Sequence, residues 1–345
     1  MKLLILFLCM ALFPVPANAL ELEPPDVPYQ YRDRMPENTG DLLEGFQELL
    51  YDALNTLRPD LQEALRISTG ILSAALLVSL LQTVSNSSSH TGEMIGVVII
   101  SLILLKNTGA MIMLAAETVK EICEYGKLLL PVMTTALAAQ GGITTSGVLY
   151  AGTAFFTAML QGILDSILVS GVYLYLALSI GSAASGEKLL NRMGIILKQF
   201  ISWCLRVLLI IFTSYLSLTR VVSGTTDAAA LKAAKVSMSS FIPVVGGILS
   251  DASEAILVSA GLMKNTAGIY GILATLAVFL HPFLKIGLHY LILKLTGGIT
   301  AVFGREPMAA VLDAFSNAMA LLLAMTGAGC LMILISTVCF MKGVL

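Results

Sequence analysis

Residues 147–184 form an apolar run of 38 positions that carries one formal charge, Asp165. About 20 such residues take a helix across a hydrocarbon core. The run is therefore either one long tilted helix or two segments broken near Ser170 and Gly171. Residues 67–84, 94–116, 200–218, 256–280, 284–295 and 308–340 are apolar in the same way. Only 12% of the 345 residues are charged, about half the roughly 25% usual for a soluble domain. The mean hydropathy is +0.88. Too little polar surface remains to hold such a chain in water, which argues against a soluble globular enzyme. Twenty basic and 22 acidic residues leave a net charge of -2. Without a basic excess to neutralise phosphates, a nucleic-acid binder is disfavoured. The expected class is an all-α, polytopic, integral membrane protein.

The N-terminus reads as a targeting segment. Lys2 precedes an apolar stretch over residues 3–13, Pro14 and Pro16 break it, and Ala17-Asn18-Ala19 forms a cleavage site, which predicts a signal peptide over residues 1–19. Eleven apolar residues are short for the competing reading, an uncleaved anchor. Residues 20–40, with Pro24, Pro25, Pro28 and Pro36, read as an extracytoplasmic linker. Residues 41–66 read as amphipathic juxtamembrane helices. Leu42, Phe46, Leu49, Leu50, Ala53, Leu54 and Leu57 fall at helical spacing. Pro59 stops that helix, and Asp60 with Glu63 reads as the N-cap and partner of the next. The amphipathic helix either rests on the bilayer surface or docks a partner.

Residues 67–116 are expected to form a first transmembrane pair, interrupted by Lys106 and Asn107. Residues 117–127 place Glu117, Lys120, Glu121, Glu124 and Lys127 opposite an apolar face, as an interfacial helix does. Residues 128–139 are broken by Pro131 and too short to span alone, so they read as half-inserted. Beyond them the chain rhymes with itself. Met193, Leu197, Phe200 and Leu208 match Met308, Leu312, Phe315 and Leu323 at an offset of 115, as Tyr175, Leu176 and Leu178 match Tyr290, Leu291 and Leu293. Leu130-Pro131-Val132 resembles Ile242-Pro243-Val244 at an offset of 112. These matches divide the chain into membrane repeats over residues 117–222 and 223–345. Repeat-built membrane folds set their functional seam between the copies.

Motifs for catalysis fail one by one. Residues 181–189 resemble a phosphate loop, but Glu187 intrudes and Leu189 replaces the hydroxyl that GxxxxGK[ST] requires. His90, His281 and His289 are the only histidines, so no HExxH exists. There is no GxSxG, and no GxGD surrounds Asp165 or Asp251. Cys123, Cys204, Cys330 and Cys339 show no ligand spacing. No enzyme activity, cofactor, metal or disulfide framework is expected.

Polar groups inside apolar segments are expensive and mark partner helices or wet cavities. Gln161 and Asp165 lie one turn apart. Ala154, Ala158, Gly162, Ser166 and Ser170 recur every fourth residue beside them, a spacing that lets helices approach closely. This face is either a packing ridge with a satisfied polar pair or the lining of a conduit. His281, Lys285 and His289 form an i, i+4, i+8 stripe at Pro282, either a wet interfacial face or a proton relay. Lys106 and Arg206 are expected to snorkel, or to pair with Asp165 or Asp313. The stretches 186–198 and 220–235 both carry positive charge, so the positive-inside rule leaves the 147–184 crossing unoriented.

One stretch goes beyond composition. Residues 227–254 read DAAALKAAKVSMSSFIPVVGGILSDASE: a small-residue basic helix, a Phe-Ile-Pro-Val-Val-Gly-Gly turn, then Ser250-Asp251-Ala252-Ser253-Glu254. This resembles the best-preserved region of the stage III sporulation protein AE family. Lys-Leu-Leu-Leu-Pro-Val-Met over residues 127–133 and the wider layout from about Asp41 onward are similar too. The resemblance implies a polytopic protein of endospore formers, made in the mother cell and inserted in the membrane around the engulfed forespore; cleavage after Ala19 would leave its N-terminus extracytoplasmic. It implies membership of a multiprotein channel or feeding tube with the other stage III sporulation A membrane proteins. That assembly meets stage II sporulation protein Q across the intermembrane space. The family offers no catalytic residues to carry over.

Pro243 cannot continue a regular helix, and Gly246 with Gly247 frees the backbone. Non-helical backbone at membrane depth is tolerated only inside protein or beside water. Residues 241–254 are therefore expected to form a re-entrant element with Asp251 and Glu254 at the mouth of a passage. Pro131 is a second candidate hinge. The alternatives are a stand-alone secondary transporter, which the repeat and broken segments favour, and a passive membrane scaffold.

Overall fold

Away from water, each backbone N–H and C=O must find a partner within its own segment, and an α-helix meets that need. The computed structural model describes residues 24–36, 39–84, 90–241, 246–302 and 306–342. The expected signal peptide and Pro243 lie outside them. Among the described residues there are eight α-helices and no strand: α1 (Leu42–Thr56), α2 (Arg58–Val84), α3 (His90–Ala139), α4 (Ile143–Ile163), α5 (Val169–Ser185), α6 (Lys188–Phe241), α7 (Gly246–Val302) and α8 (Glu306–Met341). A short 3-10 turn, Tyr29–Arg34, precedes them. Among the described residues, six rods are long and apolar enough to cross a membrane: Arg58–Leu80, Gly92–Ala139, Ile143–Ser185, Lys188–Thr219, Lys264–Val302 and Glu306–Met341. This is a multi-pass membrane protein.

The helices run longer than the sequence divides them. α3 is continuous over 50 residues, so the interfacial piece at 117–127 and the half-inserted piece at 128–139 belong to one rod. Pro131 sits inside it. The ring removes one backbone donor, but it faces outward, while Leu129, Leu130, Met133, Ala136 and Leu137 beside it are buried. Packing on that inner face carries the helix past the missing bond. At ~1.5 Å per residue, α3 is about 75 Å long, well beyond a hydrocarbon core of about 30 Å.

The 147–184 run is also one rod. Its irregularity is a π-helical turn, Leu164–Leu168, between α4 and α5, rather than a break near Ser170 and Gly171. Gly171 instead packs tightly on α6, where an added Cβ would lie 3.0 Å from Ile201. Glycines close the tight connections. Gly141 (φ 93°) ends α3, with Gly141 N–H bonded to the Ala138 carbonyl and Gly142 N–H to the Leu137 carbonyl at 3.1 Å, a Schellman arrangement. Gly186 (φ 73°) ends α5 and bonds back to the Ser182 carbonyl at 2.8 Å. The positively charged stretches 186–198 and 220–235 are therefore almost wholly helical, within α6.

α8 occupies the centre, packed against α3, α4, α5, α6 and α7. The residues matched at the offset of 115 fall on two antiparallel hairpins, α5–α6 and α7–α8. Their surroundings are opposite. Met308 and Phe315 on α8 are fully buried, whereas Met193 and Phe200 on α6 are exposed.

α1 carries the amphipathic pattern expected of it, capped by Asp41, whose side chain accepts from Leu43 N–H at 2.8 Å. Only part of its apolar face is covered within the chain, since Leu42 and Leu54 remain exposed. Leu49 and Ala53 pack on Leu273, Ala277 and Leu280 of α7. α2 begins at Arg58, so Pro59 lies in its first turn, where a missing N–H costs nothing.

Candidate functional site

Three of the polar constellations between the helices bear most on function. The first corrects the reading of Asp60 as an N-cap. Asp60 lies inside the first turn of α2 and reaches α7, where its carboxylate accepts from Lys285 at 2.7 Å. His281 Nε2 stands 3.8 Å from the same carboxylate. The side chains of Asp60 and Lys285 are 11% and 24% exposed, so this is an internal ion pair rather than a wet face. His289, the third member of the stripe, is buried and donates Nδ1–H to the Lys285 carbonyl at 2.9 Å. That bond ends on its own helix, so no side-chain chain runs from His289 to Asp60.

The second constellation surrounds Gln161 and Asp165. Lys127 on α3 donates to the Gln161 amide oxygen at 3.0 Å, which satisfies Gln161 from a neighbouring helix. Asp165, in the π turn, is exposed, and no hydrogen bond or ion pair to it occurs among the described residues. Ala158, Gly162, Ser166 and Ser170 are exposed on the same side. Ala154, the first of the series, is half-buried, so among the described residues the ridge is covered at one end and open along the rest. Lys106 and Arg206 are exposed as well, and Asp313 pairs with Lys294 at 2.7 Å rather than with either of them.

The third was not visible beforehand. Asp227 is buried within α6 and caps a different helix. Its carboxylate accepts from Thr144 N–H at 3.1 Å and Thr145 N–H at 2.8 Å. These donors at the start of α4 have no partner within their own helix, and its N-cap Gly142 has no side chain to offer. Burial alone would push this carboxyl up, but the Thr144 and Thr145 bonds outweigh it and hold the carboxyl below its ordinary value. Asp227→Ala is expected to cost about 1 kcal/mol, as cap losses do, read as a lower unfolding temperature in detergent. The sign of the pH effect follows. A depressed carboxyl stabilises above its unfolded value, near about 3.9, and that contribution is lost as pH falls through the lower folded value. Between pH 5 and pH 3 the wild-type protein should lose more stability than Asp227→Asn.

Asp227 also opens the stretch that carries the family resemblance. A family model described as stage III sporulation protein AE matches residues 30–343. The chain belongs to the stage III sporulation protein AE family. A relative named "Stage III sporulation protein AE", from Bacillus subtilis (strain 168), is 25% identical over 244 residues. The match takes in 70% of this chain and 61% of the relative, so the chain spans about three fifths of that protein. No solved structure matches. Within this AE-family chain, Gly246 and Gly247 are the first residues of α7, which continues as helix through Asp251 and Glu254. The side chains of those four residues lie outside the described set, as does Pro243. Among the described residues, no three His, Cys, Asp or Glu side chains converge as metal ligands.

Proposed function

We propose that this chain is a non-enzymatic membrane component of the multiprotein channel that links mother cell and forespore, needed for sporulation after engulfment. It sits in the mother-cell membrane around the forespore. Its partners are the other stage III sporulation A membrane proteins and, across the intermembrane space, stage II sporulation protein Q. Family membership supports the sporulation role. The observation that carries a component rather than a self-sufficient transporter is Asp165. Ionisable residues in membrane helices ordinarily face the bundle interior or a wet cavity. Asp165 is the one charge on the rod Ile143–Ser185 and points outward instead. A helix of a neighbouring protein bearing a lysine or arginine at that depth would satisfy it.

Affinity purification of the tagged protein, gently solubilised from sporulating cells, tests this reading. Recovery of other stage III sporulation A proteins is the expected result. A monodisperse protein that brings no partner, even after cross-linking, would overturn it. The second reading, a stand-alone secondary transporter, draws on a polar cavity between the two hairpins and predicts solute binding by the isolated chain.

A further inference from the structure

A cavity of about 520 Å3 lies between the α5–α6 hairpin and the start of α8. Its lining descends from Gly186 in the turn to Tyr175 on α5, about 16 Å at ~1.5 Å per residue. Sites for small molecules range over about 300–1,000 Å3, so its size is that of a binding site rather than a packing gap.

Its charges are arranged by depth. Near the floor, partly buried Lys198 donates to the Asn317 amide oxygen at 2.9 Å. An ammonium has three donors, so two remain. No ion pair among the described residues involves Lys198. Asp313 lines the wall, with Oδ1 taken by Lys294 at 2.7 Å and its second oxygen left over. Glu306, in the first turn of α8, stands at the rim. An incompletely partnered cation therefore lies deep, with carboxylate oxygens above it.

We propose that this cavity binds a zwitterion, its oxyanion on Lys198 and its ammonium facing Asp313 and Glu306. A dipeptide-sized solute and the headgroup of phosphatidylethanolamine share this chemistry and fit the volume. A dipeptide response together with recovered partners makes the cavity part of the channel component, and a dipeptide response without partners favours the transporter, so the two tests are read together. Binding can fail while co-purification succeeds, and the reverse.

The test uses the full chain. In detergent, the unfolding temperature is followed against L-alanyl-L-glutamine. In nanodiscs, retention of phosphatidylethanolamine against phosphatidylglycerol is read by native mass spectrometry. A response to the dipeptide identifies an aqueous solute, and selective retention of the ethanolamine lipid identifies a headgroup. Either supports the proposal if Lys198→Met weakens it at least about tenfold, the scale of one lost charged hydrogen bond, and Lys198→Arg keeps it. If Lys198→Met does not fold, Asp313→Asn serves instead. It should weaken the zwitterion while leaving acetate unaffected. No response to either probe, an unchanged response in the variants, or equal binding of acetate and phosphatidylglycerol would overturn the assignment.

Discussion

Asp60→Ala is expected to destabilise the protein by about 3–5 kcal/mol, the cost of removing one partner from a buried ion pair. Lys285 would keep its charge in a site that is 24% exposed. The group left facing it from α7 is His281, which offers no negative charge. Helix α1 packs on the neighbouring stretch of α7 through Leu49 and Ala53 against Leu273, Ala277 and Leu280, which limits the water that can reach the unpaired charge. The predicted signature is a large drop in unfolding temperature together with early proteolysis of residues 41–66. A double-mutant cycle separates the pair from its surroundings. Asp60→Ala with Lys285→Met removes both charges and should recover most of the loss. A cost below about 1 kcal/mol for Asp60→Ala, the level of a surface pair, would mean that this contact does not hold the N-terminal helices to the bundle.

Asp60 also shows where sequence reasoning reaches its limit. A Pro-Asp-x-x-Glu pattern is a helix start, and α2 does start there, at Arg58. The local rule locates the helix end, but nothing local tells an aspartate that caps its own helix from one aimed at Lys285, 225 positions on. Asp227 is the converse case. Embedded in a small-residue helix it carries no cap signal, yet it caps α4 because Gly142 cannot. Contacts that close over long sequence distances leave no trace in periodicity.

What periodicity does convey is helix existence and the buried face. The apolar spacing of α1 took in its packing residues Leu49 and Ala53 together with Leu42 and Leu54, which stay exposed, and the apolar runs identified the rods that can cross a membrane. Helix continuity was less legible. Pro131 and the charged patch at 117–127 looked like interruptions, but a proline on the outward face breaks little when the opposite face is packed. The offset of 115 placed matching side chains on two hairpins without saying which lies at the centre. Phe315 is buried and Phe200 exposed at matched positions. Environment here is decided by assembly of the whole bundle, not by the segment. The zwitterion cavity lies at the same junction, built by α5, α6 and α8 together, and its key residue Lys198 reads in isolation as one more interfacial lysine.

Asp165→Leu is expected to separate stability from function. An aspartate near the centre of a spanning helix costs about 2.5–3.5 kcal/mol on insertion scales, and leucine is favourable there. The variant should therefore insert and fold at least as well as wild type, with an equal or higher unfolding temperature. Recovery of partner proteins should fall. Truncating one member of a buried charge pair across an interface costs about 2–5 kcal/mol, so the loss is at least about 30-fold at 1.4 kcal/mol per tenfold. Sporulation should fail after engulfment, with normal protein level in the membrane. Asp165→Glu keeps the charge and should restore part of both. A helix-packing role alone predicts the opposite pattern, since the flanking Gly162 and Ser166 remain and leucine adds apolar surface. Normal sporulation and full partner recovery in Asp165→Leu would show that the carboxylate meets water rather than a partner's cation. The component reading would then lose the observation on which it stands.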